Sequence, residues 1–236
     1  MKKLLLILLC LPLLFSTCKK EEDEPSNSDN NNAGDNNCNV ANFTDIDGKI
    51  YNVVSIGNQC WLKENLNVST FSNGEQIPEI TSGSQWATTS SPGWCYYENN
   101  IENGITYGKL YNAYALNDSR GIAPEGWRVP TPTDWEELFD YLGGVDIAGK
   151  HMKVSGDGNF GQNNTGTNSS GFSALPAGRR VGNTGASNQG SFTTGGQWAN
   201  FAATEGSFYI SNVDYIYILN WGGDENNGNS VRLIKE

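Results

Sequence analysis

The shortness of the apolar segments is the feature that most restricts the fold of this chain. The clearest of them lie at residues 50–56, 94–97, 208–210 and 215–220, and stretches rich in Gly, Asn, Ser and Thr separate them. Short segments of aromatic and β-branched residues bounded by turn residues are typical of β-strands. The 28 glycines and an apolar fraction of 37% agree with this interpretation, since about 45–50% is usual. We therefore expect a mostly β domain with many loops.

The charge disfavours one class of function, and the histidine content excludes another. The formal net charge is -11, which disfavours binding to nucleic acid because phosphate backbones need a basic face. His151 is the single histidine, so zinc centres with several histidines are excluded. A zinc site built from His151 and three cysteines is also disfavoured, because the cysteines show no C-x₂-C pair.

The first residues predict that the protein is exported and attached to a membrane. Residues 1–17 combine two lysines with a short apolar run and small residues before Cys18, which is the pattern of a secretory signal peptide rather than of a membrane span. The small residues before Cys18 resemble the lipobox of bacterial lipoproteins. That resemblance implies cleavage before Cys18 and its acylation with long chains such as palmitate, which would hold the protein at a membrane. The alternative is an ordinary secreted protein.

The next segment, residues 18–37, predicts a tether. Lys19 and Lys20 precede four acidic residues, and this order resembles the signal that sends lipoproteins of Bacteroidota to the cell surface; a solvated charged spacer is the alternative. Residues 25–37 are nearly all Ser, Asn, Asp and Gly, too polar to offset the entropy cost of ordering them. We expect a flexible tether, an outer-membrane protein exposed at the cell surface through acylated Cys18, and one folded domain over residues 38–236.

Three cysteines remain for the folded domain, Cys38, Cys60 and Cys95. In an oxidising compartment, three thiols predict one disulfide and one unpaired cysteine. A Cys38–Cys60 bond would fix the start of the domain to its first hairpin, and a Cys60–Cys95 bond is the alternative. The sequence leaves open whether Cys95 is free.

Local signals predict several elements. Gly57-Asn58 between two apolar runs indicates a hairpin, and Asn103-Gly104 indicates another turn. Thr131 as N-cap, with proline and an acidic residue following, predicts a helix whose stripe of Trp135 and later apolar residues faces the core. Shorter helices are expected at residues 110–116 and 147–154.

The last strands and the tryptophans complete the local predictions. Strands are expected at residues 201–204, 208–210, 215–220 and 230–234. In the third of these, Tyr215, Tyr217 and Leu219 share one face by the period of two. Trp61 and Trp127 are expected in the core with the helix tryptophan.

Landmarks in a fixed order resemble one known family. They are found at residues 44–51, 56–61, 64–66, 107–112, 126–131, 171–176 and 230–232. Together they resemble the Fibrobacter succinogenes major paralogous domain family, whose members are widespread on bacterial surfaces and share no settled biochemical role. The chain departs from the family pattern at residues 198–204, where a Trp-Trp-Ser-Ser-like strand is usual.

A more distant resemblance concerns the fold. The segment that begins Arg128-Val129-Pro130-Thr131 and continues to Trp135 is similar to one in the formylglycine-generating enzymes. This implies an α+β, C-type lectin-like fold: a twisted antiparallel β core with two or three short helices and long irregular loops. We interpret the shared segment as architecture and not as part of an active site: Arg128 pairs locally, Thr131 caps the helix and Trp135 fills the core. Those enzymes use a pair of copper-binding cysteines, and nothing after Cys95 is a cysteine, so we do not expect their oxidase chemistry here. No local pattern of acidic residues indicates a catalytic carboxylate pair either, and we therefore expect a protein without catalysis.

Candidate binding residues come from the loops. Trp86, Trp94, Trp198 and Trp221 lie in or beside polar, turn-rich segments, so their rings are candidates for stacking on sugars; packing in the core is the alternative for each. Oxygen donors for Ca²⁺ are offered by Asp224, Glu225 and Asn226, whose alternative role is to satisfy the backbone of a turn. No other cofactor is expected.

The expected function is that of a surface-anchored, non-catalytic recognition module that binds a carbohydrate or a protein partner. The alternative is a structural or assembly lipoprotein of the envelope that has no soluble ligand. An enzyme would need paired carboxylates in a cleft or a reactive Cys95.

Overall fold

The computed structural model describes residues 38–156, 159–162, 164–183, 185, 187–219 and 225–236. The expected signal peptide and tether, and with them Cys18, lie outside these residues, as do Trp221 and Asp224. The described part combines short helices with mostly antiparallel strands, which confirms the α+β class. Within it, no helix has the length and apolarity that a membrane crossing requires.

Most strands are short, as the short apolar segments predict. Within the described residues they are β1 Asn42–Thr44, β2 Ile50–Ile56, β3 Gln59–Leu62, β4 Trp94–Cys95, β5 Leu110–Tyr111, β6 Trp127–Arg128, β7 Arg179–Arg180, β8 Phe192–Thr193, β9 Ala199–Ala202, β10 Ser207–Ile210, β11 Ile216–Leu219 and β12 Ile234–Lys235.

The largest sheet joins the two ends of the domain. Its order is β1-β2-β3-β12-β6, with every described pairing antiparallel. The hairpin of β2 and β3 turns at Gly57-Asn58 as predicted, and Gly57 adopts a φ of 57° there. Because the C-terminal β12 lies between β3 and β6, the sheet cannot be completed until the end of the chain is in place.

A second sheet has the order β11-β10-β9 and is also antiparallel. Residues 228–230 run along its far side, where Ser230 bridges Phe201 of β9. The pairs β4–β5 and β7–β8 are small separate ribbons. The segment predicted as a strand at residues 230–234 is regular only at Ile234–Lys235, since its earlier part makes a single bridge to β9 and not a full ladder.

Helices are short and more numerous in the described residues than the two or three expected. They are α1 Gly83–Thr88, α2 Ile101–Tyr107, α3 Ala113–Leu116, α4 Pro132–Tyr141 and α5 Ala148–Met152, with a 3₁₀ turn at Tyr97–Asn99.

The beginning of α4 follows the sequence prediction. Thr131 and Asp134 form a reciprocal capping box with Pro132 in the first turn. Arg128 donates two hydrogen bonds to the Asp134 carboxylate, at 2.6 and 2.7 Å. This bidentate pair ties β6 to the start of α4 and confirms the local role expected for Arg128.

Two local predictions are wrong. Residues 110–116 are not one helix, because Asn112 caps a new helix by accepting a hydrogen bond from the Ala115 amide, so that β5 precedes α3. Asn103-Gly104 is not a turn but lies inside α2. A Cβ on Gly104 would lie only 2.1 Å from the Tyr96 ring; the glycine is therefore there to let that ring approach the helix.

The core forms around aromatic side chains in two large clusters. Trp61 and Trp135, with ring centroids 4.4 Å apart, lie in one cluster under α4, and Trp127 lies in the other. All three are buried, which confirms the core role predicted for them.

Two buried arginines hold the long loops. Arg232 is fully buried and donates to the side-chain oxygen of Asn65 and to three backbone carbonyls, and burial lowers its pKa to about 9. Arg180 donates to the carbonyls of Ile80, Thr81 and Gly190. Segments without regular structure thus have their carbonyls satisfied by a side chain.

The cysteines settle one alternative. Cys38 is bonded to Cys60, with the two Cα atoms 5.7 Å apart, so the first predicted pairing is confirmed and the Cys60–Cys95 alternative is wrong. Cys95 is unpaired and buried in β4.

Candidate functional site

The two faces of the β9–β11 sheet have different side chains. Along β10, Phe208 and Ile210 face the core, so Tyr209 faces the other way. Tyr209 is paired with Asn200 of β9 and with Tyr217 of β11. The sheet therefore has an apolar inner face and an outer face formed by tyrosines and an asparagine.

Four aromatic rings line this outer face, and we call them the aromatic row: Trp198, Tyr209, Tyr217 and Tyr215. The first two rings are parallel within 8° with centroids 4.3 Å apart, and the second and third are parallel within 4° at 4.7 Å. Tyr215 meets Tyr217 edge-on at 4.7 Å. All four rings are partly exposed; Tyr215 and Tyr217 retain 41% and 37% of their surface.

The row presents unsatisfied polar groups as well as ring surface. Within the described residues, the phenol hydroxyls of Tyr209, Tyr215 and Tyr217 take part in no hydrogen bond. Parallel rings cover each other's faces, so the row offers mainly ring edges and hydroxyls along its length. Open ring faces remain only toward its ends.

Polar side chains lie beside the row. The bridge between Phe201 and Ser230 puts Asn229 next to Asn200 on the same face as Tyr209. Asn200 is fully buried, and neither atom of its amide has a hydrogen-bond partner in the described part of the chain; the same holds for the side-chain oxygen of Asn229. An unpaired buried polar group costs about 1–3 kcal/mol, so such groups are usually hydrogen-bonded to protein, water or a ligand.

A positive charge accompanies these amides. Arg179 follows Gly178, which bridges Ala199, and this register places Arg179 beside Asn200. The pKa of Tyr209 is raised, first by burial and then by the neighbouring Tyr217, while the charge of Arg179 acts in the opposite direction. Arg179 is therefore close enough to the row to act on a ligand there.

Of the three predicted binding tryptophans that lie within the described residues, Trp198 is on this face, and Trp86 and Trp94 are not. Trp86 is fully buried: its ring nitrogen donates to the Asn226 carbonyl at 2.6 Å, and the Arg180 guanidinium lies 4.9 Å from its ring. Trp94 is buried beneath the ammonium of Lys109, 4.3 Å from the ring centre. The prediction that these two rings are open to a ligand is wrong, because distant segments cover them.

The predicted calcium ligands are not brought together as a site in the described residues. Asn226 is buried, and its amide donates to the carbonyls of Trp86 and Thr89, so it serves the packing of α1. Glu225 is exposed, and its carbonyl accepts a hydrogen bond from the Ala113 amide. No group of three or more His, Cys, Asp or Glu residues suited to a metal is found among the described residues.

The free cysteine has the chemistry of a core residue. Burial raises the pKa of the Cys95 thiol to about 12, and the nearby Arg180 only partly offsets this. The thiolate is the nucleophilic form, so a thiol with so high a pKa stays protonated and unreactive at neutral pH.

The sequence alone predicts only part of the aromatic row. Alternation placed Tyr215 and Tyr217 on one face, as the structure does. Tyr209 and Trp198 join them through strand pairings, and the sequence contains no signal for which strands are neighbours.

The comparisons with known proteins identify the family of the chain and no individual relative. No curated protein and no solved structure compared with the chain is significantly similar to it. A sequence model of the Fibrobacter succinogenes major domain matches residues 54–235, which span β3 to β12 and include the whole aromatic row. The chain therefore belongs to the Fibrobacter succinogenes major domain family.

Proposed function

We propose that this protein is a lipid-anchored recognition protein of the bacterial cell surface and that its folded domain binds carbohydrate, without catalysis, at the aromatic row. The observation that carries the proposal is the row itself: four partly exposed aromatic rings on one sheet face, with three hydroxyls that have no partner among the described residues.

The chemistry of the row suits a sugar. Tyrosine and tryptophan combine an apolar body with a polar tip, and a sugar ring likewise has apolar C–H faces and hydroxyl edges. The end of the row at Trp198 offers a ring for stacking. The phenol hydroxyls of Tyr209 and Tyr217, with Arg179 beside them, offer donors and acceptors for sugar hydroxyls.

Two sequence features support the proposed location on the cell surface. The lipobox-like segment before Cys18 is the basis for membrane anchoring, and the Lys-then-acidic segment that follows is the basis for surface exposure in the outer membrane. We further propose that the α+β domain is C-type lectin-like. An experimental structure whose strand order cannot be superposed on that fold would contradict this part.

A structural or assembly role in the envelope is the second candidate. Its support is that parallel rings in the row cover most of one another's faces, as they would in a surface that contacts a flat protein partner rather than a soluble glycan. The two candidates make different predictions for a glycan-binding assay.

The test is a glycan array with the purified protein, with and without calcium, followed by affinity measurements on any hit. Trp198→Ala and Tyr217→Ala should each weaken binding at least tenfold. Tyr141→Ala is the matched control, because this tyrosine is 64% exposed on α4, outside the row, and it should leave the affinity unchanged. Absence of any glycan hit, or equal loss in all three variants, would contradict carbohydrate binding at the row.

The anchor is tested separately. Cys18→Ala should abolish lipidation and move the protein from the membrane fraction to the soluble fraction of a fractionated cell. A variant that remains with the membrane after a high-salt wash would contradict anchoring through this cysteine.

A further inference from the structure

A cavity of about 260 Å³ lies among residues that follow β3, the end of α2 and the segment around Ser173. None of the residues of the aromatic row lines it. Pockets for drug-sized ligands measure about 300–1,000 Å³, so this cavity is suited to a small molecule and not to a polymer.

Two lysines line the cavity, and neither ammonium forms a salt bridge with a carboxylate of the described residues, although Asp45 and Glu64 act electrostatically on Lys49. Among the described residues, the Lys63 ammonium takes part in no hydrogen bond or ion pair. The Lys49 ammonium lies 5.3 Å from the centre of the Tyr51 ring and is likewise in no close ion pair. Lys49 is half-buried, and the loss of hydration lowers its pKa more than the Asp45 and Glu64 carboxylates raise it.

The acidic residue in the cavity wall, Glu64, is already hydrogen-bonded. Glu64 accepts hydrogen bonds from the backbone and side-chain nitrogens of Asn52, at 2.8 and 2.7 Å. The lining thus contains two positive charges and one negative charge, and Glu64 keeps its charge when it accepts these hydrogen bonds. In a chain of net charge -11, such a local excess of positive charge attracts an anion.

The remaining wall is partly apolar. Ile105 and Leu175 contribute hydrocarbon surface, and Thr106 and Ser173 contribute hydroxyls. Gly108 adopts a φ of 73°, and a Cβ there would lie 2.8 Å from the Leu66 carbonyl oxygen. Only glycine therefore fits at this position of the cavity wall.

We propose that this cavity binds a small carboxylate, with Lys49 and Lys63 as its counter-ions and the apolar side chains against its carbon skeleton. Charge-assisted hydrogen bonds to ammonium groups are among the stronger polar contacts. A singly charged carboxylate suits the half-apolar lining better than a phosphate, whose greater charge costs more to remove from water. The inference does not depend on the aromatic row.

Two kinds of molecule carry this chemistry, sugar acids and apolar acids, and calorimetric titration of the full chain distinguishes them. The probes are glucuronate and hexanoate, with glucose and hexanol as their neutral counterparts and inorganic phosphate as a competing anion. We expect at least one acid to bind at least tenfold more tightly than its neutral counterpart. The acid that binds more tightly shows whether the cavity prefers a sugar acid or an apolar acid.

Substitutions of the two lining lysines test whether the acid binds in the cavity. Lys63→Met and Lys49→Met should each weaken the preferred acid at least tenfold, and Lys63→Arg should retain most of the affinity. Lys235→Met is the control, since this lysine lies in β12 and does not line the cavity. Thermal unfolding of each variant shows whether it is folded. If Lys63→Met is not folded, Lys63→Gln is used in its place.

Three outcomes would overturn the proposal: no binding of either acid, tighter binding of phosphate than of both acids, or unchanged affinity in folded Lys63 and Lys49 variants. Trp198→Ala should leave acid binding unchanged. Failure of carbohydrate binding at the row and failure of the carboxylate site are therefore separate results.

Discussion

Aromatic rings lie on both sides of the β9–β11 sheet. On the core side they meet rings of α4 edge-to-face and also form stacked pairs, whereas on the outer face they form one stacked row. On the inner face, Phe208 meets Trp135 and Phe139 edge-to-face, at centroid distances of 4.7 and 5.0 Å, and all three are buried. On the outer face, Trp198, Tyr209 and Tyr217 stack in parallel and remain partly exposed.

The difference separates packing from recognition. Edge-to-face rings interlock in three dimensions and leave no surface free, as a core requires. A parallel row has contacts in one direction only and leaves its edges and hydroxyls open. The inner face should therefore determine stability, and the outer face should contribute little to it.

The largest effect is expected in the core, where α4 packs against the inner face. Trp135→Ala should lower the free energy of unfolding by about 3–5 kcal/mol, because it removes the ring that contacts Phe208 and leaves a cavity. Urea unfolding measures this, with Trp198→Ala as the matched control on the outer face. Equal losses in the two variants would contradict the distinction between the faces.

An intermediate effect is expected at the centre of the row. Tyr209→Ala removes two stacked pairs, each worth about 0.5–1.5 kcal/mol, and should cost about 1–3 kcal/mol. Tyr209→Phe should change stability by less than about 0.5 kcal/mol, as for an ordinary surface substitution, because the hydroxyl has no partner among the described residues. A large loss in the phenylalanine variant would reveal a hydrogen bond at this hydroxyl.

The smallest effect is expected at alkaline pH. Burial, with help from Tyr217, raises the pKa of Tyr209 in the folded state, so its contribution to stability is complete below the unfolded value of about 10 and is lost as pH rises beyond it. Tyr209→Phe should make the unfolding free energy fall slightly less between about pH 9 and 11. An identical slope in the variant would contradict this shift.

Local signals in the sequence predicted elements whose causes are local. The β2–β3 hairpin follows from Gly57-Asn58, and α4 follows from the Thr131 capping box, so both were found. The helix α2 was missed because Gly104 is a turn residue by propensity. In the fold its missing side chain makes room for Tyr96.

Distant contacts account for what the sequence could not predict at the site. Trp86 lies in a polar, turn-rich stretch, yet it is buried by Arg180 and Asn226, which are far along the chain. The aromatic row forms only when β9, β10 and β11 pair in one register. Such burial and pairing are determined by the assembled sheet and not by neighbouring residues.

The Cys38–Cys60 bond has a mechanical consequence. The strand β1 pairs only with β2 and lies at the edge of the sheet, where a pull from the amino-terminal side would peel it away first. The bond passes such tension from residue 38 directly to β3 in the interior of the sheet. Under flow or shear, the edge strand is therefore shielded for as long as the covalent link is intact, and a pulling measurement should register early extension only after reduction.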